Sequence, residues 1–317
     1  VTTAPITTHR RLEFPAAPAI SPYAEETHHA SLLWASLHGM LNPEQYERLD
    51  EARIGWLAAR TYPHLPRHFL RLLSDWHLWL YAMDDGYVDR PPPTPAFGPG
   101  HMVRMAARLS RIAADPSASL TGGGRCAAAL RDVRRRVGAM ASTARTQRWS
   151  EAVSGYLMGV CWEATNNAAA RLPELAEYTA MRRLSSGLWT ALHLIDAGAA
   201  CELPDRQLAD PALDELADLA ANLVCWDNDY CSYAKETRRT GARHNLIRVL
   251  AAHHACGADE AMRRYVALRA GHVARFTELE AALADRLTPE GARYVQALKH
   301  WIRGHLDDFS HSSSHFA

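Results

Sequence analysis

No stretch of this chain alternates apolar and polar residues as a half-buried strand does, and none runs to about eighteen apolar residues. The first lack argues against a β protein, the second against a membrane span. Net charge is missing too. Lys and Arg together number 35, as do Asp and Glu, so no global basic field is present to draw nucleic acid. The six cysteines (Cys126, Cys161, Cys201, Cys225, Cys231 and Cys256) contain no C-x-x-C pair. Most lie inside apolar helical patterns and read as reduced core thiols of a cytoplasmic protein. Residues 1–10 have no apolar segment of the secretion-signal type, so a soluble protein that is not exported is expected. No Gly-rich phosphate loop or catalytic-triad motif appears either.

Helical periodicity is present nearly throughout. It runs through 26–42, 45–60, 66–86, 101–114, 125–142, 146–170, 174–200, 211–239, 243–255, 258–286 and 289–309. Residues 1–20 hold three prolines and no periodicity, and predict an extended or disordered N-terminal arm. The 317 residues are enough for one large domain or two ordinary ones. No repeat, low-complexity tract or long linker divides them, so residues 21–317 are expected to form one all-α domain.

The most informative segment is 228–236, Asn-Asp-Tyr-Cys-Ser-Tyr-Ala-Lys-Glu. Asn228, Ser232 and Glu236 are spaced by four, and on a helix each such step advances about 400°, so the three share a face with a drift of about 40° per step. An amide oxygen, a hydroxyl and a carboxylate are hard donors, suited to Mg²⁺ and not to a thiolate-loving metal. Lys235 stands beside the carboxylate and would reach an anion held by the same metal. Any surface helix carries polar residues, but Leu223, Val224, Cys225 and Trp226 run straight into this motif and predict a largely buried helix.

A second acidic group closes an aromatic, apolar run over 75–89, which ends in Asp84, Asp85 and Asp89. Adjacent carboxylates at the end of a buried helix repel each other and are costly to desolvate without a cation. The proline run 91–95 forbids the helix from continuing, so the cluster sits at a C-terminus whose macrodipole is itself negative. A bound divalent ion resolves that conflict. The alternative is that these carboxylates only solvate a loop.

Together the two segments resemble the metal-binding motifs of the bacterial class I terpene synthases. Asp84, Asp85 and Asp89 match that family's D-D-x-x-x-D/E pattern, and Asn228, Ser232 and Glu236 match its N-D-x-x-S-x-x-x-E pattern. Lys235 stands where the family has a diphosphate-contacting lysine. Counting back from Asn228 by the family's spacing reaches Arg182, which the resemblance makes a diphosphate sensor. Ser185, Ser186 and Gly187 then occupy the helix break from which such enzymes aim a backbone carbonyl at the substrate. One element departs from the pattern. Where the family has an Arg-Tyr pair near the C-terminus this chain has His315 and Phe316, and an imidazole lacks the guanidinium fork.

The resemblance implies the class I terpenoid synthase fold, a bundle of ten or more helices around a central apolar cavity. It implies Mg²⁺ as cofactor, three ions when diphosphate is bound, and a prenyl diphosphate as partner, and it leaves room for a homodimer. The reaction would be ionisation of the diphosphate, with farnesyl diphosphate leading to a sesquiterpene hydrocarbon or alcohol. Geranyl and geranylgeranyl diphosphate are alternative substrates. A chain-elongating prenyl synthase and a non-enzymatic helical binding protein are alternative functions. Trp79, Tyr81 and Trp189, near the motifs, are candidates to line the cavity and steady a carbocation with their ring faces, against the default of core packing.

Overall fold

The computed structural model describes residues 12–84, 98–119, 124–197, 202–238 and 244–311, and among them every regular element is a helix. In chain order these are α1 (Ala24–Leu37), α2 (Pro43–Glu51), α3 (Ile54–Thr61), α4 (Arg67–Met83), α5 (Pro99–Ala114), α6 (Gly124–Met140) and α7 (Thr143–Ala168). There follow α8 (Leu175–Ser185), α9 (Leu188–Ala197), α10 (Asp205–Leu208), α11 (Pro211–Arg238), α12 (Leu246–His253), α13 (Ala258–Leu283) and α14 (Pro289–His311). The expected all-α architecture is what the chain adopts. No described helix is long and apolar enough to cross a membrane.

Local chemistry accounts for several of the helix starts. Pro43 opens α2, and Asn42 and Gln45 satisfy each other's backbone N–H groups in a reciprocal capping box. Asn245 begins α12 by accepting from the Ile247 N–H at 3.0 Å. One expected helix, over 45–60, is instead two. Arg53 lies in the left-handed region (φ 51°) and separates α2 from α3. The reason is tertiary: a Cβ built on Gly55 would lie 2.4 Å from the Cα of His28, so α3 meets α1 backbone to backbone and takes its own direction. Its far end meets α14 in the same way, where a Cβ on Gly304 would lie 2.4 Å from the Arg60 carbonyl oxygen.

Helix α4 runs through the core. Phe69, Leu72, Leu73, Trp76, Leu78, Trp79 and Met83 are all buried. So are polar residues, which need partners there. Ser74 accepts from Ser31 at 2.8 Å, and Asp75 is held by Arg71 and Arg136, each at 2.8 Å. His77 is the exception taken up below.

Of the expected N-terminal arm, residues 12–20 are described and are not helical. They lie against the body. Phe14 is buried with its ring edge-on to Phe276 of α13, and Arg269 donates to the Glu13 carbonyl at 2.7 Å.

Candidate active site

Helix α11 is as buried as its apolar approach predicts: Leu223, Val224, Cys225 and Trp226 are all in the core. Its polar face then carries Asn228, Ser232 and Glu236 in line. Ser232 Oγ donates to Glu236 Oε1 at 2.6 Å, and Asn245 Nδ2 donates to Glu236 Oε2 at 3.0 Å and to the Asp229 carbonyl at 2.7 Å. Asn245 thus ties the start of α12 to the motif helix and orients its carboxylate. Burial pushes the Glu236 carboxyl above its ordinary range, the Asp229 charge pushes the same way, and the bonds from Ser232 and Asn245 oppose them.

The second component comes from α8. Arg182, 46 residues before Asn228, donates through Nη2 to Asn228 Oδ1 at 3.3 Å and through Nε to Asp229 Oδ1 at 3.0 Å. Asp229 is fully buried and also accepts from the Tyr178 hydroxyl and, at 3.1 Å, from the Leu246 N–H. Burial raises the Asp229 carboxyl, and Arg182 and Tyr178 hold it back. Burial alone would also weaken the Arg182 cation, but Asp229, Tyr178, Cys225 and Glu163 outweigh it and keep the guanidinium charged. Neighbouring Arg183 points elsewhere: it bonds Asp218 at 2.9 Å and lies over the Trp189 ring.

The chain breaks immediately after Arg182. Ser186 ends α8, and Gly187 takes φ 70°, a left-handed conformation that costs glycine little. The Gly187 carbonyl accepts from the Thr190 N–H at 3.1 Å and from its hydroxyl, which in turn accepts from Trp76 Nε1 at 2.6 Å. The break is therefore fastened to α4. It is pressed against α7 as well, because a Cβ on Gly159 would lie 2.5 Å from the Ser185 nitrogen. A cleft of about 260 Å³ opens beside it, lined in part by Tyr156, Leu184, Gly187, Trp189 and Thr190.

Asp84 caps the C-terminus of α4 and is exposed. Burial drives the Tyr156 phenol well above its ordinary value, and the charges of Asp84 and Glu163 add to this. Glu163 acts in turn on Arg182. The end of α4, the middle of α7 and the Arg182–Asn228 contact thus belong to one electrostatic neighbourhood. Asp85 and Asp89 lie outside the described residues, as do His315, Phe316 and the Lys235 side chain.

The three aromatic candidates divide. Trp79 is fully buried, stacked on Trp76 at 4.9 Å and 12°, with Nε1 bonded to the Cys126 carbonyl at 2.9 Å and its edge toward Tyr156. That is core packing directly behind Tyr156. Tyr81 is half-buried on α4, and Trp189 lines the cleft. Reading along the chain missed Tyr178, Asp229, Asn245, Tyr156 and Glu163. Tyr178 alone had a usable signal, being four residues before Arg182 and hence on its face of α8.

These residues fit a hard divalent cation. The α11 face offers only oxygen donors, and burial and the neighbouring Asp229 charge push the Glu236 carboxyl up, a cost that a bound cation would offset. No cluster of three His, Cys, Asp or Glu that could hold a metal ion occurs among the described residues.

Residues 75–275 match the family model described as "Terpene synthase family 2, C-terminal metal binding". The chain is 31% identical to the 4-epi-cubebol synthase of Streptosporangium roseum, named as cyclising (2E,6E)-farnesyl diphosphate, over 98% of this chain and 95% of that protein. It is 33% identical to the (+)-T-muurolol synthase of Roseiflexus castenholzii, named for the same substrate, over 94% and 90%. In three dimensions it is similar to the SVS_A2 protein from ancestral sequence reconstruction, with TM-score 0.86, 27% identity and coverage of 95% and 90%. An α-eudesmol synthase shares the fold at TM-score 0.85 and 21% identity, over 96% of this chain and all of that one.

Proposed function

The chain belongs to the bacterial class I terpene synthases, a divalent-metal-binding family, and from that premise we propose that it ionises farnesyl diphosphate with Mg²⁺ and cyclises the cation to a sesquiterpene. The observation that carries this reading is the contact between Arg182 and Asn228. It joins a guanidinium able to fork onto phosphate oxygens to a helix face bearing three hard oxygen donors.

In this reading Asn228, Ser232 and Glu236 hold metal on one side, and Asp84, with Asp85 and Asp89, on the other. Mg²⁺ held by these residues, three ions by family resemblance, would supply the positive charge that makes the diphosphate a competent leaving group. Arg182 releases Asn228 and takes phosphate oxygens, and Lys235 supplies a second cation. The allylic C–O bond then breaks, both electrons leaving with the diphosphate. Of the break's carbonyls, Gly187's is engaged by Thr190, so the Ser186 carbonyl is the one proposed to face the nascent cation. Tyr156, Trp189 and Tyr81, with Trp79 packed behind, provide the wall that folds the prenyl chain and excludes water. Deprotonation, or capture by one admitted water, ends the reaction.

Purified protein incubated with Mg²⁺ and the C10, C15 and C20 prenyl diphosphates, with products read by mass spectrometry, tests the proposal. We expect cyclic C15 products that vanish on chelation and fall at least about a hundredfold in Asn228→Ala or Glu236→Ala, each folded as judged by circular dichroism. Products from the other chain lengths alone would overturn the substrate assignment. Retention of most activity in both variants would overturn the metal site.

A further inference from the structure

Two imidazoles lie in the apolar interior without the partners that buried polar groups normally find. His77 of α4 is 4% exposed, and neither ring nitrogen has a hydrogen-bond partner. His305 of α14 is 8% exposed, and its Nδ1 has none. Their neighbour Tyr62, by contrast, donates to the Ala191 carbonyl at 3.1 Å. His77 sits in an aromatic wall: Tyr62 stacks on it at 5.9 Å, and Trp301 meets Tyr62 and His77 edge-on at 5.7 and 5.6 Å. His305 follows Trp301 by one helical turn and packs edge-on to Phe309 at 4.5 Å. His77 and the proposed metal ligand Asp84 are seven residues, two helical turns, apart along α4 and share a face, so the wall lies below the proposed diphosphate end of the site.

Resting on the functional reading above, we propose that His77 and His305 hold the single water molecule that captures the carbocation and ends the reaction as an alcohol. A water is stable in an apolar interior only where it finds two or more polar partners, and these nitrogens supply them. The water oxygen donates a lone pair to the cationic carbon and the C–O bond forms. One O–H bond breaks, its electrons stay on oxygen, and the proton passes to an imidazole nitrogen lone pair. The imidazolium, disfavoured in so apolar a place, returns the proton to the diphosphate as it leaves. Burial first, with Arg182 and His77 adding to it, lowers His305 to about 3, and burial lowers His77 to about 4, so both rings are neutral and hold that lone pair ready.

The test runs full-length protein with Mg²⁺ and farnesyl diphosphate in ¹⁸O-water and reads products by mass spectrometry. Ratios of products are compared, so that a slower variant is still informative. Wild type should give an alcohol carrying ¹⁸O. His305→Phe and His77→Phe, which keep ring shape but lose the nitrogens, should each shift the alcohol-to-hydrocarbon ratio toward hydrocarbon by about tenfold or more. His305→Gln, which keeps hydrogen bonding, should stay within about threefold of wild type; a ring acting by shape alone gives the reverse order. Wild type making only hydrocarbons, or unchanged ratios in both Phe variants, overturns the inference and leaves the functional reading intact. Wild type releasing no diphosphate from any prenyl substrate overturns both.

Discussion

At Arg182 a single side chain is shared between two partners of different kinds. Asp229 is fully buried and permanent, whereas Asn228 is a neutral oxygen that a metal ion would claim. Replacing Arg182 with Lys keeps the charge and loses the fork. We expect Arg182→Lys to lower Mg²⁺-dependent turnover about a hundredfold or more, since each lost charge-assisted bond to a developing anion is worth several kcal/mol. Arg183→Lys keeps the charge of a half-exposed pair with Asp218 and loses only the guanidinium lying over the Trp189 ring, so it should change turnover far less than Arg182→Lys, by less than about threefold. Steady-state diphosphate release, with melting curves as a check on folding, compares the two. A second prediction concerns His77, which burial lowers from 6.5 to about 4. As pH falls through 6.5 the unfolded chain takes up a proton that the folded one refuses, so stability is lost progressively down to about 4 and no further. The full loss is about 3 kcal/mol. His77→Phe removes it, so the variant should gain more in urea stability at pH 4.5 than at pH 8. Asn228, Ser232 and Glu236 were legible in the chain because helical spacing alone places them on one face, and Arg182 because the family resemblance counts back to it. Asp229 and Asn245 were not, because their roles are defined by partners on other helices.

The element that matters most is the break between α8 and α9. Gly187 supplies the left-handed turn, Thr190 closes it, and Trp76 anchors it to α4. Gly159 is the less obvious requirement, since it lets α7 touch the Ser185 backbone. Gly159→Ala favours helix by intrinsic propensity, yet its methyl would overlap main-chain atoms that cannot rotate away. We expect a loss of about 1–3 kcal/mol in folding stability, together with a fall in turnover larger than that loss explains, because the Ser186 carbonyl moves. Wild-type stability with altered turnover would show that the break moves freely. The periodicity over 174–200 ran through this break without registering it, and only the motif resemblance located it. The separation of α2 from α3 had no local signal either. Arg53 is an ordinary helix former, and the turn there serves the approach of Gly55 to α1.

Over the whole molecule the N-terminal segment acts as a tie. Phe14 inserts beside Phe276, and Arg269, paired with buried Asp227 on α11, grips the Glu13 carbonyl. Asp227 immediately precedes Asn228, so this tie reaches the helix that carries the proposed metal ligands. Phe14→Ala should cost about 3–5 kcal/mol in urea unfolding, as for other buried phenylalanines. It should also raise hydrogen exchange in α13. A cost below about 1 kcal/mol would mean the segment merely rests on the surface.

The all-α class and the oxygen-donor face of α11 were determined by the sequence alone, because each depends on the 3.6-residue helical repeat or on residue chemistry, whereas Arg182 was reached only through the spacing of the family it resembles. What the tertiary structure decided lies between helices. It paired Arg182 with Asp229, fastened Gly187 through Thr190 to Trp76, packed Trp79 behind Tyr156, and set His77 into an aromatic wall with neither ring nitrogen hydrogen-bonded. Such relations depend on which faces meet and at what distance, set by close approaches at Gly55, Gly159 and Gly304 that no single helix records.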